Sequence, residues 1–303
     1  MARVSVVIPT FNCAQYIVAA VESALGQTYK DIEIIVVDDG SKDNTHEIIK
    51  AYENAGLIKY IFQENKGLPG ARNTGILKST GEFLAFLDAD DELDRRMVSM
   101  CLERIEKEDT EWCLIDILRI ENTGSEIKEE VQRCNIPENN LDTQILADDF
   151  IRRAPFFRKK SLFEIGLYDE DMRIREDYDI NIRMILAGKR FSYIPEPLYI
   201  YKIRSNSLVK TKYKKKYDYA LKLLKKHSKK IADDGNKDVA RVYAHNLWRL
   251  GRNYLTDVHD IKSFIFCVGE SLKYDFSLWR LAHPFYFHLI KSLSVPAKNN
   301  RQK

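Results

Sequence analysis

The sequence predicts an α/β fold in which a mostly parallel sheet is flanked by helices and followed by a helical C-terminal extension. Through the first 92 residues, short apolar runs alternate with segments of helical periodicity. The runs are continuously apolar, which is typical of parallel strands buried on both faces. From about residue 212 onward the periodicity is helical.

The first part of the predicted sheet contains four strands, at Val4–Pro9, Ile34–Val37, Ile58–Phe62 and Phe83–Leu87. Helical patterns lie between them, over residues 14–27, 44–55 and 69–79. Asn12 lies near the cap of the first helix, and Gly56 and Gly81 end the other two. Repeated strand–helix units predict right-handed crossovers between parallel strands.

The elements after residue 92 are less regular. Asp94 is expected to cap a helix whose apolar face includes Ile105. Ser161 and Glu164 have capping-box spacing before a short helix that Gly166 ends. The other expected elements are a strand near Cys113–Ile120 followed by a polar stretch, a helix over Glu176–Ala187, and a strand over Phe191–Ile203 broken by Pro195 and Pro197.

The composition is that of a globular chain with a large core. The 303 residues are 45% apolar with few Gly and Pro, which excludes wholesale disorder and collagen-like structure. Five scattered cysteines without CxxC spacing indicate reduced thiols, not a zinc site or a disulfide framework. No uncharged apolar run reaches the roughly 18 residues of a transmembrane helix. We therefore expect a cytoplasmic protein, either soluble or peripheral at the inner face of the cell membrane.

Acidic clusters follow two of the predicted strands. Asp38 and Asp39 follow the second strand, and Asp88 and Asp90 follow the fourth. Ligands of open α/β sheets bind at these carboxyl ends, and hard carboxylate oxygens suit Mg²⁺ or Mn²⁺. The alternative interpretation is that these residues only form turns and cap the helices that follow.

Three other nucleotide- or phosphate-handling folds fit the acidic residues less well. A haloacid-dehalogenase-type phosphatase has its Asp-x-Asp after the first strand, and a response-regulator receiver has its acidic pair there. A dinucleotide-binding fold needs Gly-x-Gly-x-x-Gly at that point, where this chain reads Pro9-Thr10-Phe11-Asn12.

Four segments together resemble family 2 glycosyltransferases, which have the GT-A fold. They are Val4-Ser-Val-Val-Ile-Pro-Thr-Phe-Asn12, Val36-Val-Asp-Asp-Gly-Ser41, Asn65-Lys-Gly-Leu-Pro-Gly-Ala-Arg-Asn73 and Gly81-Glu-Phe-Leu-Ala-Phe-Leu-Asp-Ala-Asp-Asp91. Phe157-Arg-Lys, Gly166-Leu-Tyr-Asp169 and Arg175-Glu-Asp-Tyr-Asp179 look like the acceptor-side segments and extend the resemblance to about residue 208. The resemblance implies three regions: 1–110 binds the nucleotide-sugar, 111–210 binds the acceptor, and 211–303 is a basic helical extension.

The resemblance also implies roles for the residues on the donor side. Pro9 and Phe11 would lie along the nucleotide, and Asp39, together with Asp38, would hold the uracil or the ribose. Arg72 would approach the nucleotide or its phosphates.

The implied metal and base residues complete the site. Asp88 and Asp90 would be the Asp-x-Asp that binds Mn²⁺ or Mg²⁺, with Asp88 also near the nucleotide. Asp177 would be the catalytic base, and its place in the first turn of a helix favours the carboxylate form. One position departs from the family pattern, because Arg204 stands where many relatives have a metal- or diphosphate-binding His. Arg cannot ligate a metal but can offer a planar fork to a diphosphate.

The expected function is therefore an inverting, metal-dependent glycosyltransferase. It would move a sugar from a nucleotide-diphosphate sugar, expected to be a UDP-sugar, to a hydroxyl of a glycan or polyprenyl-linked acceptor. A nucleotidyltransferase on a related sheet is an alternative, although residues 10–14 lack its Gly-rich signature. A non-catalytic nucleotide-sugar-binding module is another, although Asp88, Asp90 and Asp177 are all present.

A basic segment over residues 202–230 is the remaining feature to interpret. It contains 12 Lys+Arg and one Asp, within a chain whose net charge is +3. Residues 1–110, by contrast, carry 12 Lys+Arg and 19 Asp+Glu. The segment is interpreted as a solvated helix face or as a surface that docks anionic lipid, together with Phe276–Leu293. A nucleic-acid patch is not expected, because nothing else resembles a nucleic-acid-binding module.

Overall fold

The computed structural model describes residues 3–122, 124, 126–147, 150–151, 153–203, 213–233 and 237–275. The chain divides into two compact units, Met1–Lys210 and Thr211–Lys303.

The first unit is built on a nine-stranded sheet. Its strands are β1 (Val4–Thr10), β2 (Ile32–Asp38), β3 (Lys59–Phe62), β4 (Phe83–Phe86), β5 (Glu92–Leu93), β6 (Trp112–Asn122), β7 (Ile127–Gln132), β8 (Arg153–Arg158) and β9 (Phe191–Ile203). Its helices are α1 (Ile17–Leu25), α2 (Thr45–Asn54), α3 (Leu68–Lys78), α4 (Met97–Glu108), α5 (Leu141–Ala147), α6 (Lys159–Glu164) and α7 (Glu176–Leu186). The predicted α/β fold class is confirmed.

The strand order is β3-β2-β1-β4-β8-β6-β9-β5, and β7 pairs with β6 off this path. Strands β1 to β4 pair in parallel, as predicted. The rest of the sheet is mixed, because β8 runs antiparallel to β4 and β6 whereas β9 is parallel to β6. The chain leaves β1 toward β2 on one side and returns to β4 on the other, so a topological switch point lies at the carboxyl ends of β1 and β4.

The core explains why the first strands are continuously apolar. Side chains on both faces of β1 are fully buried, as in Val6, Val7 and Ile8. Helix α3 approaches β1 closely at Gly75, where an added Cβ would lie 2.2 Å from Cγ1 of Val7. Glycine at this position therefore sets the distance between helix and sheet, and α3 carries Arg72 to the edge of the switch point.

Some local predictions were wrong. Ser161 does not cap α6, because that helix begins two residues earlier at Lys159. Asn12 does not cap α1 either; it has φ 52°, and its Oδ1 accepts a hydrogen bond of 2.8 Å from the Lys42 amide. Strand β9 is not interrupted at its prolines, and its pairing with β6 instead shifts register there.

The described part of the second unit contains α8 (Tyr213–Asp233), α9 (Lys237–Val258) and α10 (Ile261–Tyr274). The helical periodicity predicted after residue 212 is confirmed here, and Tyr243, Leu247 and Tyr254 form a buried face of α9. Tyr254 and Cys267 form a small core against the apolar face of α8. Within the described residues, no helix has the length and apolarity needed to cross a membrane.

Candidate functional site

The loops after β1, β2 and β4 lie at the switch point and carry most of the predicted site. Pro9 is inside β1, where it pairs in register with Val37. Phe11 follows the strand, and its ring is 46% exposed. Because Phe11 is exposed directly after β1, its ring can stack on a planar ligand.

Asp38 ties the end of β2 to its neighbours. One of its oxygens accepts from the Tyr60 hydroxyl at 2.8 Å, and the other accepts from the Ser41 amide at 2.8 Å. Burial and the neighbouring Asp38 carboxylate raise the pKa of Tyr60 well above its usual range, so this phenol stays protonated and donates. Asp38 is 1% exposed, and both of these hydrogen bonds are to groups of the protein itself.

Asp39 organises the loop after β3. Its Oδ1 accepts from the Gln63 side chain at 2.6 Å and from the Lys66 amide at 2.8 Å, and its Oδ2 accepts from the Gly67 amide at 2.7 Å. Gly67 has φ 81°, which favours glycine, and the Arg173 side chain lies against it. The carboxylate thus holds a preformed loop beside β2.

The turn after β4 carries the Asp-x-Asp pair. The Asp91 amide donates to the Asp88 carbonyl at 3.0 Å, which closes the turn. Tyr199 of β9 secures it, because its hydroxyl accepts from the Asp88 amide at 3.1 Å and donates to Asp91 Oδ2 at 2.8 Å. Asp88 and Asp90 are half-buried, whereas Asp91 is buried. Sequence reasoning missed Asp91 and Tyr199, and the only signal was a Tyr within the apolar pattern of β9.

Arg72 connects this turn to α7. Its Nη2 donates to Asp88 at 2.9 Å, and its Nη1 donates to Glu176 at 3.2 Å and to Asp177. We call these four residues the arginine hub. Arg72 is 1% exposed, and its guanidinium carbon lies 5.2 Å from the ring centroid of Tyr168. Partners 16, 104 and 105 residues away in sequence therefore meet at one side chain.

The hub is a crowded set of charges. Burial opposes the charge of Arg72, but Asp177 and Asp88 outweigh it and raise the pKa of the guanidinium well above its usual value. Burial raises the pKa of Glu176 to about 7, Asp177 adds to the increase, and Arg72 opposes it. One cation cannot neutralise three carboxylates, so Glu176 retains its proton more readily than an ordinary glutamate.

Asp177 lies in the first turn of α7, as predicted, next to Glu176 and close to Asp179. The helix follows Arg175, whose φ of 67° turns the chain into the helix. The Asp177 side chain is 45% exposed although one of its oxygens is bonded to Arg72. It is therefore anchored and reachable from solvent, which are the two properties that a general base needs.

The side chains of the turn after β4 fit a divalent metal ion. Asp88 and Asp90 bring two carboxylates to one tight turn, a number that suits Mg²⁺ or Mn²⁺ when substrate phosphates and water supply the other ligands. In the described part of the chain, no three His, Cys, Asp or Glu side chains are grouped to hold an ion. Arg204 lies outside the described residues.

Comparisons with known proteins agree on one family. The profile described as "Glycosyl transferase family 2" matches residues 5–166. EpsJ of Bacillus subtilis, an uncharacterized glycosyltransferase, is 31% identical over 76% of this chain and 69% of its own length. The glycosyltransferase GlyG of Streptococcus pneumoniae is 29% identical over 87% of this chain and 94% of its own length.

Solved structures show the same fold. TarS 1-349 of S. aureus in complex with UDP-GlcNAc superposes with a TM-score of 0.69 at 19% identity, over 90% of this chain and 81% of that one. The chain spans 49% of the larger TarS structure. A mannosyltransferase from Pyrobaculum calidifontis, in complex with GDP-Man and Mn2+, superposes with a TM-score of 0.57 at 17% identity, over 89% of this chain and 74% of that one. Likeness at this level of identity establishes the GT-A fold.

Proposed function

The chain belongs to glycosyl transferase family 2 and is a glycosyltransferase, and we propose that it transfers a sugar from a UDP-sugar to a hydroxyl of a glycan or polyprenyl-linked acceptor. The transfer is a single in-line displacement that inverts the anomeric carbon. The UDP-GlcNAc complex of TarS supports a uridine nucleotide as the donor class.

The arginine hub carries this proposal. It joins a carboxylate of the β4 turn, Asp88, to a carboxylate at the start of α7, Asp177, through one buried guanidinium. In-line displacement needs the leaving group and the base on opposite sides of the reacting carbon. Asp88 and Asp177 come from separate elements at one crevice, which supports one carboxylate acting at the leaving group and the other at the acceptor.

Each residue then has a chemical task. Asp177 accepts the proton of the acceptor hydroxyl as the new bond forms. General-base catalysis of this kind raises the rate by about 10²–10⁴-fold. Phe11, which is exposed, stacks on the uracil, and Pro9 of β1 lies along the nucleotide. Asp39, supported by Asp38, holds the nucleoside by presenting the loop that its carboxylate has already folded.

A divalent cation belongs to the proposal. Asp88 and Asp90 would hold Mn²⁺ or Mg²⁺, which supplies positive charge to the leaving diphosphate when it is bound. The Mn2+ complex of the mannosyltransferase supports this choice. Arg204 would offer its planar fork to the same diphosphate.

The test compares Asp177→Asn with the control variant Asp31→Asn. Asp31 is exposed and directly precedes β2, at the end of that strand away from the site. Asp177→Asn is expected to lower the rate of sugar transfer by about 10²–10⁴-fold, while UDP-sugar binding, measured by calorimetry, stays as in the wild type. Loss of binding in Asp177→Asn alone would remove the base assignment. A screen of UDP-sugars for UDP release separates the enzyme from a non-catalytic module, and release of pyrophosphate would indicate a nucleotidyltransferase.

We also propose that the protein is cytoplasmic and peripheral to the inner face of the cell membrane. Helix α8 exposes Lys215, Lys222 and Lys226, whose spacing puts them on one helical face. Lysines on such a face are attracted to anionic lipid by about 1 kcal/mol each. Anionic vesicles should bind the protein at low salt and release it at high salt.

Replacing these three lysines with Glu should abolish vesicle binding. The matched control replaces Lys30, Lys50 and Lys107, which are exposed on the first unit, with Glu. If both triple variants lose binding equally, the attraction is one of net charge and α8 is not a docking surface.

A further inference from the structure

We infer that Arg72 is a positioning residue, which holds the base Asp177 at a fixed place relative to Asp88 instead of binding the donor phosphates. The inference rests on the proposed function, since it assigns Arg72 a task within that reaction. It changes the role that the sequence resemblance implies for this residue, and it rests on three observations.

The first observation is how the guanidinium is used. Nη1 donates hydrogen bonds to Glu176 and Asp177, and Nη2 donates one to Asp88. Three carboxylates therefore take three of the five guanidinium N–H groups, and the Nε–H, which has no hydrogen-bond partner among the described residues, is buried. A phosphate that took the place of one carboxylate would leave it without its cation in a largely buried network.

The second observation is access. Arg72 is 1% exposed, and its guanidinium carbon lies 5.2 Å from the ring centroid of Tyr168 and 6.0 Å from that of Phe86. The aromatic rings and the carboxylates enclose the cation. Its orientation is fixed by packing as well as by hydrogen bonds, which suits a group that positions others.

The third observation is the asymmetry of the partners. Glu176 is largely buried, whereas the Asp177 side chain is 45% exposed and Asp88 is 23% exposed. The buried end of the hub is therefore structural, and its two exposed ends are the proposed base and the proposed metal ligand. A planar fork can hold both at once, whereas a lysine ammonium is a single point charge.

The experiment begins with Arg72→Lys, which keeps the charge and removes the fork. Misplacing a reacting group by about 1 Å can cost about 100-fold in rate, so kcat is expected to fall about 100-fold. The KM for the UDP-sugar and the Kd for UDP with Mn²⁺ are expected to stay within about threefold. The matched control is Arg3→Lys, an arginine that precedes β1, bonds to Glu106 and lies 5.6 Å from the Phe83 ring centroid. It is expected to leave kcat, KM and Kd unchanged.

A double variant separates positioning from phosphate binding. If Arg72 acts through Asp177, adding Arg72→Lys to Asp177→Asn should reduce the residual transfer no further, because effects within one interacting unit are not additive. If Arg72 acts on the phosphates, the two losses multiply and the Kd for UDP rises with Arg72→Lys. That second pattern would overturn the inference.

If Arg72→Lys does not fold, as a thermal melt would reveal, Glu176→Ala tests the inference in its place. Loss of one hub carboxylate should lower kcat about tenfold, by loosening Arg72, and leave the Kd for UDP unchanged. Tighter UDP binding would mean that the released guanidinium holds phosphate, and the positioning role would then be wrong. A wild-type chain that turns over no UDP-sugar would refute the proposed function itself, whereas an active wild type with altered UDP affinity in these variants would refute only the inference.

Discussion

Replacing Glu176 with Gln should make the protein more stable at pH 8, and by an amount that shrinks as the pH falls. Burial, reinforced by Asp177, raises the pKa of Glu176 to about 7 from its ordinary value of 4.5. An acid whose pKa is raised by folding binds more protons in the folded state. The wild type therefore loses stability as the pH rises from 4.5 through 7, and the Gln variant has no proton to lose.

The magnitude follows from the size of the shift. Each pKa unit corresponds to about 1.4 kcal/mol, so most of the loss falls between pH 5 and pH 8 and amounts to about 2.5 kcal/mol. The gain of Glu176→Gln over the wild type should thus be about 2.5 kcal/mol larger at pH 8 than at pH 5. For a unit of this size the difference in Tm should change by roughly 5–10 °C.

Thermal unfolding of the full chain, followed by circular dichroism at both pH values, measures this directly. Glu64→Gln, at an exposed position after β3, is the matched control. It should move the stability by less than about 0.5 kcal/mol at either pH. A stability difference between Glu176→Gln and wild type that is the same at pH 5 and pH 8 would refute the reasoning.

Three further predictions concern the turn after β4, the metal and the packing of α3. Asp90→Ala should weaken binding of UDP in the presence of Mn²⁺, as measured by calorimetry, and EDTA should abolish transfer by the wild type; activity that survives EDTA would contradict the metal proposal. Tyr199→Phe should cost about 1–3 kcal/mol of unfolding free energy, because the Asp91 carboxylate and the Asp88 amide lose a buried partner; an unchanged melting curve would contradict this. Gly75→Ala should cost about 1–3 kcal/mol by overpacking, since its Cβ would meet Val7 at 2.2 Å; a variant as stable as the wild type would show that α3 can shift at no cost.

The sequence predicted the first half of the fold well, for a physical reason. Strands β1, β2 and β4 are buried on both faces, so their apolar runs are continuous and easy to recognise. Strand β7 was not predicted, because five of its six residues are exposed and no apolar alternation marks it. The cap predicted at Ser161 failed because the helix start depends on how the chain leaves β8, which local spacing does not encode.

The site shows the same limit. The motifs predicted that Asp88 follows β4 and that Asp177 lies in the first turn of α7. They also predicted that Asp38 and Asp39 lie at the carboxyl end of β2. The hub was not, because its contacts span up to 105 residues and depend on the tertiary structure. For the same reason the sequence could not distinguish the contacts of Asp38 from those of Asp39. Asp38 accepts a hydrogen bond from Tyr60 of the neighbouring strand β3, whereas Asp39 holds a loop.

The bonds of Asp39 have a consequence for how a ligand enters. Its carboxylate fixes Gln63, Lys66 and Gly67 before any donor arrives. The conformational entropy of that loop is therefore lost during folding, at about 1–2 kcal/mol per residue, and not during association. Donor capture should then resemble the docking of two rigid bodies, with fast association and little ordering of the backbone.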